Sequence, residues 1–359
     1  MLLIILQLFS PAGPLETISA PSLLLVPLSM MLSALRLRPR LSLALAVAAG
    51  AGHWALTFRA TALEGTDSAH FPKYLGYGIL LLSTGIAASA LAHLMRRMIR
   101  DAVREAEAAE RSARSLGLIE RELDIARTIQ EGLLPKTAPA TQNYQVAAFA
   151  RPAAQTGGDF YDWQMLPDGR CVFAIADVTG HGIGPALVMA VCRAYSRAVA
   201  PGANGASDVL ERINHLITAD MSDSRFITMA IALASPDGRV DLLSAGHGPT
   251  FLYKARSAQV ERFDSDGVPL GVIEDEQYRP IRHLALEPGD TLVMLTDGFM
   301  ERRSPTGELF GIPRLSAAIA RHATADAQTL LRAIDDETSR FAASSPQDDD
   351  MTAVVLRYA

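Results

Sequence analysis

Cys171-Val172-Phe173-Ala174-Ile175-Ala176-Asp177-Val178-Thr179-Gly180-His181-Gly182 decides how this chain folds. Its first six residues are apolar without a break, as expected of a strand covered on both faces. Asp177 sits where that strand meets a tight turn, and the two glycines let the backbone approach other groups closely. Outward from this stretch, short runs rich in apolar or β-branched residues predict strands at 144–150, 226–234, 240–244, 291–296 and 351–358. Helical patterns occupy 183–199, 206–221, 315–321 and 327–342. Consecutive strands joined by short turns, with helices grouped between them, imply an α+β layered domain rather than an alternating βαβ chain.

The 359 residues carry 33 Lys+Arg, 39 Asp+Glu and 49% hydrophobic side chains, for a net charge of −6. That apolar content excludes disorder, and two cysteines exclude a disulfide scaffold. Net acidity without a basic block excludes nucleic acid as the main partner. Cys171 and Cys192 lie in apolar runs and read as reduced core thiols. The charges are unevenly placed: residues 1–95 hold only Arg36, Arg38, Arg40, Arg59, Lys73, Glu16, Glu64 and Asp67. The chain therefore joins two kinds of polypeptide.

Residues 41–58 and 74–95 contain no acidic, Lys or Arg side chain. At 1.5 Å per residue each crosses a hydrocarbon core of ~30 Å. Residues 22–35 are equally apolar but short and contain Pro27, so 1–95 is expected to be a transmembrane region of three or four spans. The N-terminus has no basic n-region or clear cleavage site of a signal peptide. Arg36, Arg38 and Arg40 precede one span and Arg96, Arg97 and Arg100 follow another, which places both clusters and all that follows in the cytoplasm. The expected location is a multi-pass protein of the cell (inner) membrane. The loop at 59–73 is too short for a ligand-binding domain.

Residues 96–135 are expected to form a helical linker. Met98, Ala102, Glu105, Ala109, Ser112, Leu116, Ile119, Leu123, Ala126, Gln130 and Leu133 follow strict 4-3 spacing, and Pro135 ends the pattern. Two readings stand: a parallel homodimeric coiled coil through 98–133, or one amphipathic helix packed on its own domain. Residues 136–359 then form the catalytic domain, long enough to bury a full core.

In four places an Asp stands where a strand meets a turn: Gly157-Gly158-Asp159, Ala176-Asp177-Val178, Thr296-Asp297-Gly298 and Asp348-Asp349-Asp350-Met351-Thr352. One turn aspartate means little, since its side chain commonly bonds the backbone ahead of it. Four in one domain are another matter, because clustered carboxylates repel one another and hard divalent cations neutralise them. Neither cysteine is followed six positions later by arginine, so a cysteine-nucleophile phosphatase is unsupported.

With Ala126-Arg127-Thr128-Ile129-Gln130-Glu131-Gly132-Leu133-Leu134-Pro135, Gly157-Gly158-Asp159-Phe160-Tyr161-Asp162, Asp177-Val178-Thr179-Gly180-His181-Gly182, Ser244-Ala245-Gly246-His247-Gly248-Pro249, Thr296-Asp297-Gly298 and Asp349-Asp350-Met351-Thr352, residues 120–358 resemble the protein phosphatase 2C superfamily. The order of the six pieces is similar to its bacterial SpoIIE/RsbU-type branch. The resemblance implies a sandwich of two antiparallel sheets flanked by helices, here preceded by transmembrane helices and a helical linker. It also implies a metal-dependent protein-serine/threonine phosphatase. Carried over by motif, Asp159, Asp177, the backbone carbonyl of Val178, Asp297 and Asp349 hold two divalent cations, Mn²⁺ or Mg²⁺, and metal-activated water hydrolyses the ester.

Asp349 matches the family's ligand and Asp350 a position that is often Asp or Asn, so both stay candidates. His181 is either a general acid or a turn histidine. Gly158, Asp162, Gly180, Gly182, Gly298 and Asp350 are expected to support the ligands. His247 departs from the family, which usually has Asn where Gly248 follows it here, and reads as a residue that shapes the domain. The implied substrate is a phosphorylated regulatory protein such as an anti-sigma-factor antagonist, and the implied role is signal transduction. The competing function is a non-catalytic membrane receptor whose phosphatase-like domain binds a signalling partner; its retained aspartates argue against it.

Overall fold

The computed structural model describes residues 25–64, 71–141, 143–180, 182–221 and 225–359. The chain forms two compact units, Met1–Gly117 and Leu118–Ala359.

In the first unit, α1 (Leu25–Leu35), α2 (Pro39–Glu64) and the start of α3 (Phe71–Leu133) carry the apolar sequence. Among the described residues two helices are long and apolar enough to cross a membrane, one through Pro39–Arg59 and one within Leu75–Leu133. The described part of α1 covers 11 residues, about 16 Å at 1.5 Å per residue. Any span that includes residues 1–24 lies outside the described residues. Small residues let α2 and α3 touch: a Cβ on Gly85 would stand 1.9 Å from the Ala46 Cβ, and one on Gly78 would stand 2.0 Å from the Trp54 ring nitrogen. Such contacts suit helices that associate in lipid, where close packing rather than water exclusion drives association. The apolar run 74–95 and the linker that follows it form a single uninterrupted helix, because no Pro intervenes between them.

The second unit is a four-layer sandwich. One sheet has the order β1 (Tyr144–Arg151), β10 (Met351–Tyr358), β9 (Thr291–Leu295), β6 (Thr250–Lys254), β7 (Gln259–Phe263). The other has the order β2 (Phe160–Met165), β3 (Cys171–Val178), β4 (Ile227–Ala234), β5 (Arg239–Ala245), β8 (Arg282–Ala285). All pairs are antiparallel. The continuous apolar run of β3 is explained by its position. Phe173 and Ile175 pack between the sheets with Leu292, Met294 and Val354, while Ala174 and Ala176 face α4 (Ile183–Val199) and α5 (Ala206–Asp220). On the far side, Val293, Leu295 and Val355 pack beneath α6 (Gly311–His322) and α7 (Ala327–Ala342). Each fully buried large apolar side chain contributes about 1.5–3 kcal/mol. The Asp326 side chain caps α7 by accepting from the Thr329 N–H at 2.9 Å.

Four strands escape the sequence pattern. β2 interrupts its apolar residues with Asp162 and Gln164, β6 is short, and β7 and β8 are half-exposed sheet edges with charged residues. Cys171 and Cys192 are free and buried, and burial pushes both thiols up to about 12, which leaves them inert.

Candidate functional site

Strand register gathers the aspartates. Phe160 pairs with Ala176, so Asp159 and Asp177 follow as neighbours at the same end of β2 and β3. In the facing sheet Ala353 pairs with Leu295, and Thr296 bonds Thr352 beyond them, so Asp297 leaves β9 beside the residues that enter β10. Residues far apart in the chain thus meet at one rim of the sandwich.

Asp159 is buried, and its Oδ2 accepts a 2.8 Å hydrogen bond from the Thr296 hydroxyl. The same hydroxyl accepts from the Thr352 N–H at 3.0 Å, which orients it. Burial raises the Asp159 pKa well above the ordinary carboxylate range, and the charges of Asp177 and Asp350 raise it further. Asp177 is raised to about 7, by burial first and then by Asp297 and Asp349, with Asp159 within hydrogen-bond reach. Asp297 is raised to about 6 by burial, Asp349 and Glu301.

The final acidic run divides its labour. Asp350 is buried, and its carboxylate accepts from Ala153 N at 2.7 Å, Gly158 N at 2.8 Å and Asp159 N at 3.4 Å. It clamps the loop that carries Asp159. Asp349 is exposed, its Oδ1 accepts from Asp350 N at 2.8 Å, and it lines a hollow of about 120 Å³ with Gly298, Glu301, Arg302, Arg303 and Asp348. Arg302 bonds the carbonyls of Ser345 and Pro346 and so pins the strand of chain that leads to these acids.

The glycines are there for close approach. A Cβ on Gly158 would lie 2.4 Å from the Val178 carbonyl oxygen, and one on Gly298 would lie 1.9 Å from the Asp350 carbonyl oxygen. Gly180 and Gly182 both take φ +93°, a region that favours glycine, in the turn that launches α4. His181, between them, lies outside the described residues. Asp162 does not join the carboxylates: Arg197 grips it at 2.6 and 2.7 Å and Arg193 approaches at 3.1 Å, so it ties β2 to α4.

Sequence reasoning missed the part played by one group, Gln130, and named a second, His247, without its partner. Gln130, in the last turns of α3, donates to the Gly157 carbonyl at 2.6 Å and accepts from the Gly157 N–H at 3.2 Å, two residues from Asp159. His247 is buried and its Nδ1 shares a 2.9 Å hydrogen bond with the Thr228 hydroxyl. From sequence alone His247, in its Gly-His-Gly turn, had a part in shaping the domain, and Gln130 had only a position in the 4-3 seam of the linker.

Among the described residues, no group of three or more His, Cys, Asp or Glu side chains is arranged to hold a metal ion by itself. The donor set nonetheless suits hard cations that retain several waters and take one or two carboxylates each. Two carboxylates in hydrogen-bond reach, with further acids raising their pKa values, need a proton or a cation between them.

A family model described as Stage II sporulation protein E (SpoIIE) matches residues 167–359, more than half of the chain. The chain belongs to the SpoIIE family. It is a protein-serine/threonine phosphatase with the protein phosphatase 2C fold. RsbU of Bacillus subtilis, named a phosphoserine phosphatase, is 32% identical over 246 residues, which cover 67% of this chain and 70% of that protein. RsbP of the same organism, also named a phosphoserine phosphatase, is 29% identical over 187 residues, covering 50% and 45%. The fold is that of the SiaA-PP2C domain of Pseudomonas aeruginosa, with a TM-score of 0.61 and 21% identity over 69% of this chain and 99% of that one. The family match takes in Asp177, Asp297 and Asp349 and begins after Asp159.

Proposed function

We propose that the chain is a membrane-anchored, metal-dependent phosphatase that removes phosphate from serine or threonine of a cytoplasmic regulatory protein. The gathering of Asp159, Asp177, Asp297 and Asp349 at one rim of the sandwich, with the first three carboxyls held above their ordinary pKa range, carries this reading. These four side chains and the Val178 carbonyl would hold two divalent cations, Mn²⁺ or Mg²⁺. When bound, such cations supply Lewis-acid activation of water and neutralise charge on the transferring phosphoryl group.

The chain's own residues do the rest. Thr296 aims the Asp159 carboxylate, Asp350 fixes the loop behind it, and Gly158 leaves room for the Val178 carbonyl. Asp349 sits at the open rim where a phosphorylated segment can arrive. Removing phosphate erases nearly two negative charges, enough to restore an interface that the phosphate had broken. Given phosphoserine phosphatases as relatives, an anti-sigma-factor antagonist is the substrate class this reading selects.

Arginine clusters at the same end of both candidate spans support an inner-membrane anchor with the phosphatase domain in the cytoplasm. On this reading residues 1–95 are the membrane region, 96–135 the linker and 136–359 the catalytic domain. Exposed Leu116 and Ile119 support pairing of two linkers in a homodimer, while Leu123, Ala126 and Leu133 are already partly buried in the single chain.

Calorimetric titration of Mn²⁺ into the full chain tests the metal reading. Binding is expected in the wild type and at least about tenfold weakening in Asp177→Asn, a variant that keeps the shape and removes the charge. Equal binding by the two proteins would refute the assignment.

A further inference from the structure

In the first unit, two arginine pairs distant in sequence share one cleft. Arg38 and Arg40 stand at the start of α2, and Arg96 and Arg100 follow the apolar run of α3. Together they line a cleft of about 840 Å³. No acidic side chain among the described residues lines it. Among the described residues none of the four arginines is ion-paired; Arg100 Nε donates to the Arg96 carbonyl at 3.2 Å, and Arg97, outside the cleft, takes Asp101 at 4.0 Å. Four guanidinium groups around one space repel one another and leave a strong positive field there.

The other walls narrow the choice of anion. Leu41, Leu43 and Ile99 give the cleft an apolar side, and the arginines stand at the ends of two runs long enough to cross the hydrocarbon core. In a membrane this is the depth of the headgroups. Guanidinium forks match phosphate oxygens two at a time, and the leucines offer contact to an acyl chain. A free phosphate ion would use the arginines and leave the apolar side wet.

We propose that this cleft binds the phosphate headgroup of an anionic phospholipid, seated between the beginning of α2 and the arginine segment of α3. The inference rests on the membrane reading of this unit. It adds to it a specific lipid site, at the point where the membrane helix continues into the linker.

The full-length protein in mild detergent is mixed with phosphatidylglycerol or phosphatidylcholine, and retained lipid is counted by native mass spectrometry. Phosphatidylglycerol should be held in preference. The pair Arg38→Gln/Arg96→Gln should weaken retention on the order of tenfold to thirtyfold, at about 1 kcal/mol for each arginine. Arg40→Gln/Arg100→Gln removes the other two arginines and should do the same, so misfolding of one variant leaves the test standing. Arg111→Gln, on the exposed linker, should change nothing. Equal retention of both lipids, or wild-type retention by both double variants, overturns the site. Complete displacement by millimolar inorganic phosphate overturns the lipid in favour of a free anion. Co-sedimentation separates this result from the membrane reading. A chain that stays soluble beside vesicles of either lipid fails as a membrane protein, whereas one that binds both vesicles without lipid selectivity fails only at the cleft.

Discussion

Asp349 and Asp350 are adjacent acids with opposite surroundings, and substitution should separate them. Asp350→Ala removes the acceptor of three backbone N–H groups, those of Ala153, Gly158 and Asp159. The first two bonds are short and the third is long, so two donors lose a good partner in a region where Gly158 is buried. An unsatisfied buried donor costs about 1–3 kcal/mol, and loss of a negative charge beside Asp159 offsets part of this. A net loss of about 2–4 kcal/mol lowers Tm by roughly 5–15 °C in a domain of this size. Asp349→Ala removes an exposed carboxylate and should change stability by less than about 1 kcal/mol. Its turnover should nonetheless fall more than about a hundredfold, beyond the range typical of groups that only orient ligands. Thermal melts followed by circular dichroism, beside phosphate release, read both quantities. An Asp349→Ala protein with full turnover and a depressed Tm, beside an Asp350→Ala protein with a normal Tm and none, would refute the division.

Three further outcomes follow from the same geometry. Gln130→Ala cuts two bonds to the buried Gly157 and should lower Tm by a few degrees and kcat severalfold, measured as thermal melts and as initial rates at saturating substrate; an unchanged kcat would remove Gln130 from the site. Gly158→Ala drives a Cβ to 2.4 Å from the Val178 carbonyl oxygen, so it should cost about 1–3 kcal/mol in denaturant melts and weaken Mn²⁺ binding, while a neutral result would show that the carbonyl is free to move. Burial lowers the His247 pKa from 6.5 to about 4. Its unfolded form therefore binds the proton more readily, and stability falls as pH drops from 6.5 toward 4, by up to about 3 kcal/mol. Carboxyls with raised values act in the opposite direction, so the test is the difference between wild type and His247→Gln; parallel pH profiles would contradict the burial argument.

The sequence legible here was the part governed by local pattern. β3 could be read because both of its faces are apolar, and Asp177 because it ends that run at a glycine turn. The polar and edge strands β2, β7 and β8 could not, since their residues answer to neighbours rather than to a period. The candidate aspartates were visible as types and positions. What Asp350 does was not, because its partners lie nearly two hundred residues earlier in the chain. The same holds for Gln130 against Gly157 and for Asp162, whose arginines come from a helix that packs on its strand. Long-range contact, not residue type, distinguishes a ligand from the group that steadies it.

The most direct test is phosphate release from a phosphoserine-bearing protein by the full chain, with Mn²⁺ and then with excess chelator, beside Asp297→Ala. The account predicts turnover with Mn²⁺, its loss to the chelator and its recovery on adding metal back, and at least a hundredfold loss in the variant. Turnover that persists in chelator, or that survives in Asp297→Ala, would contradict it.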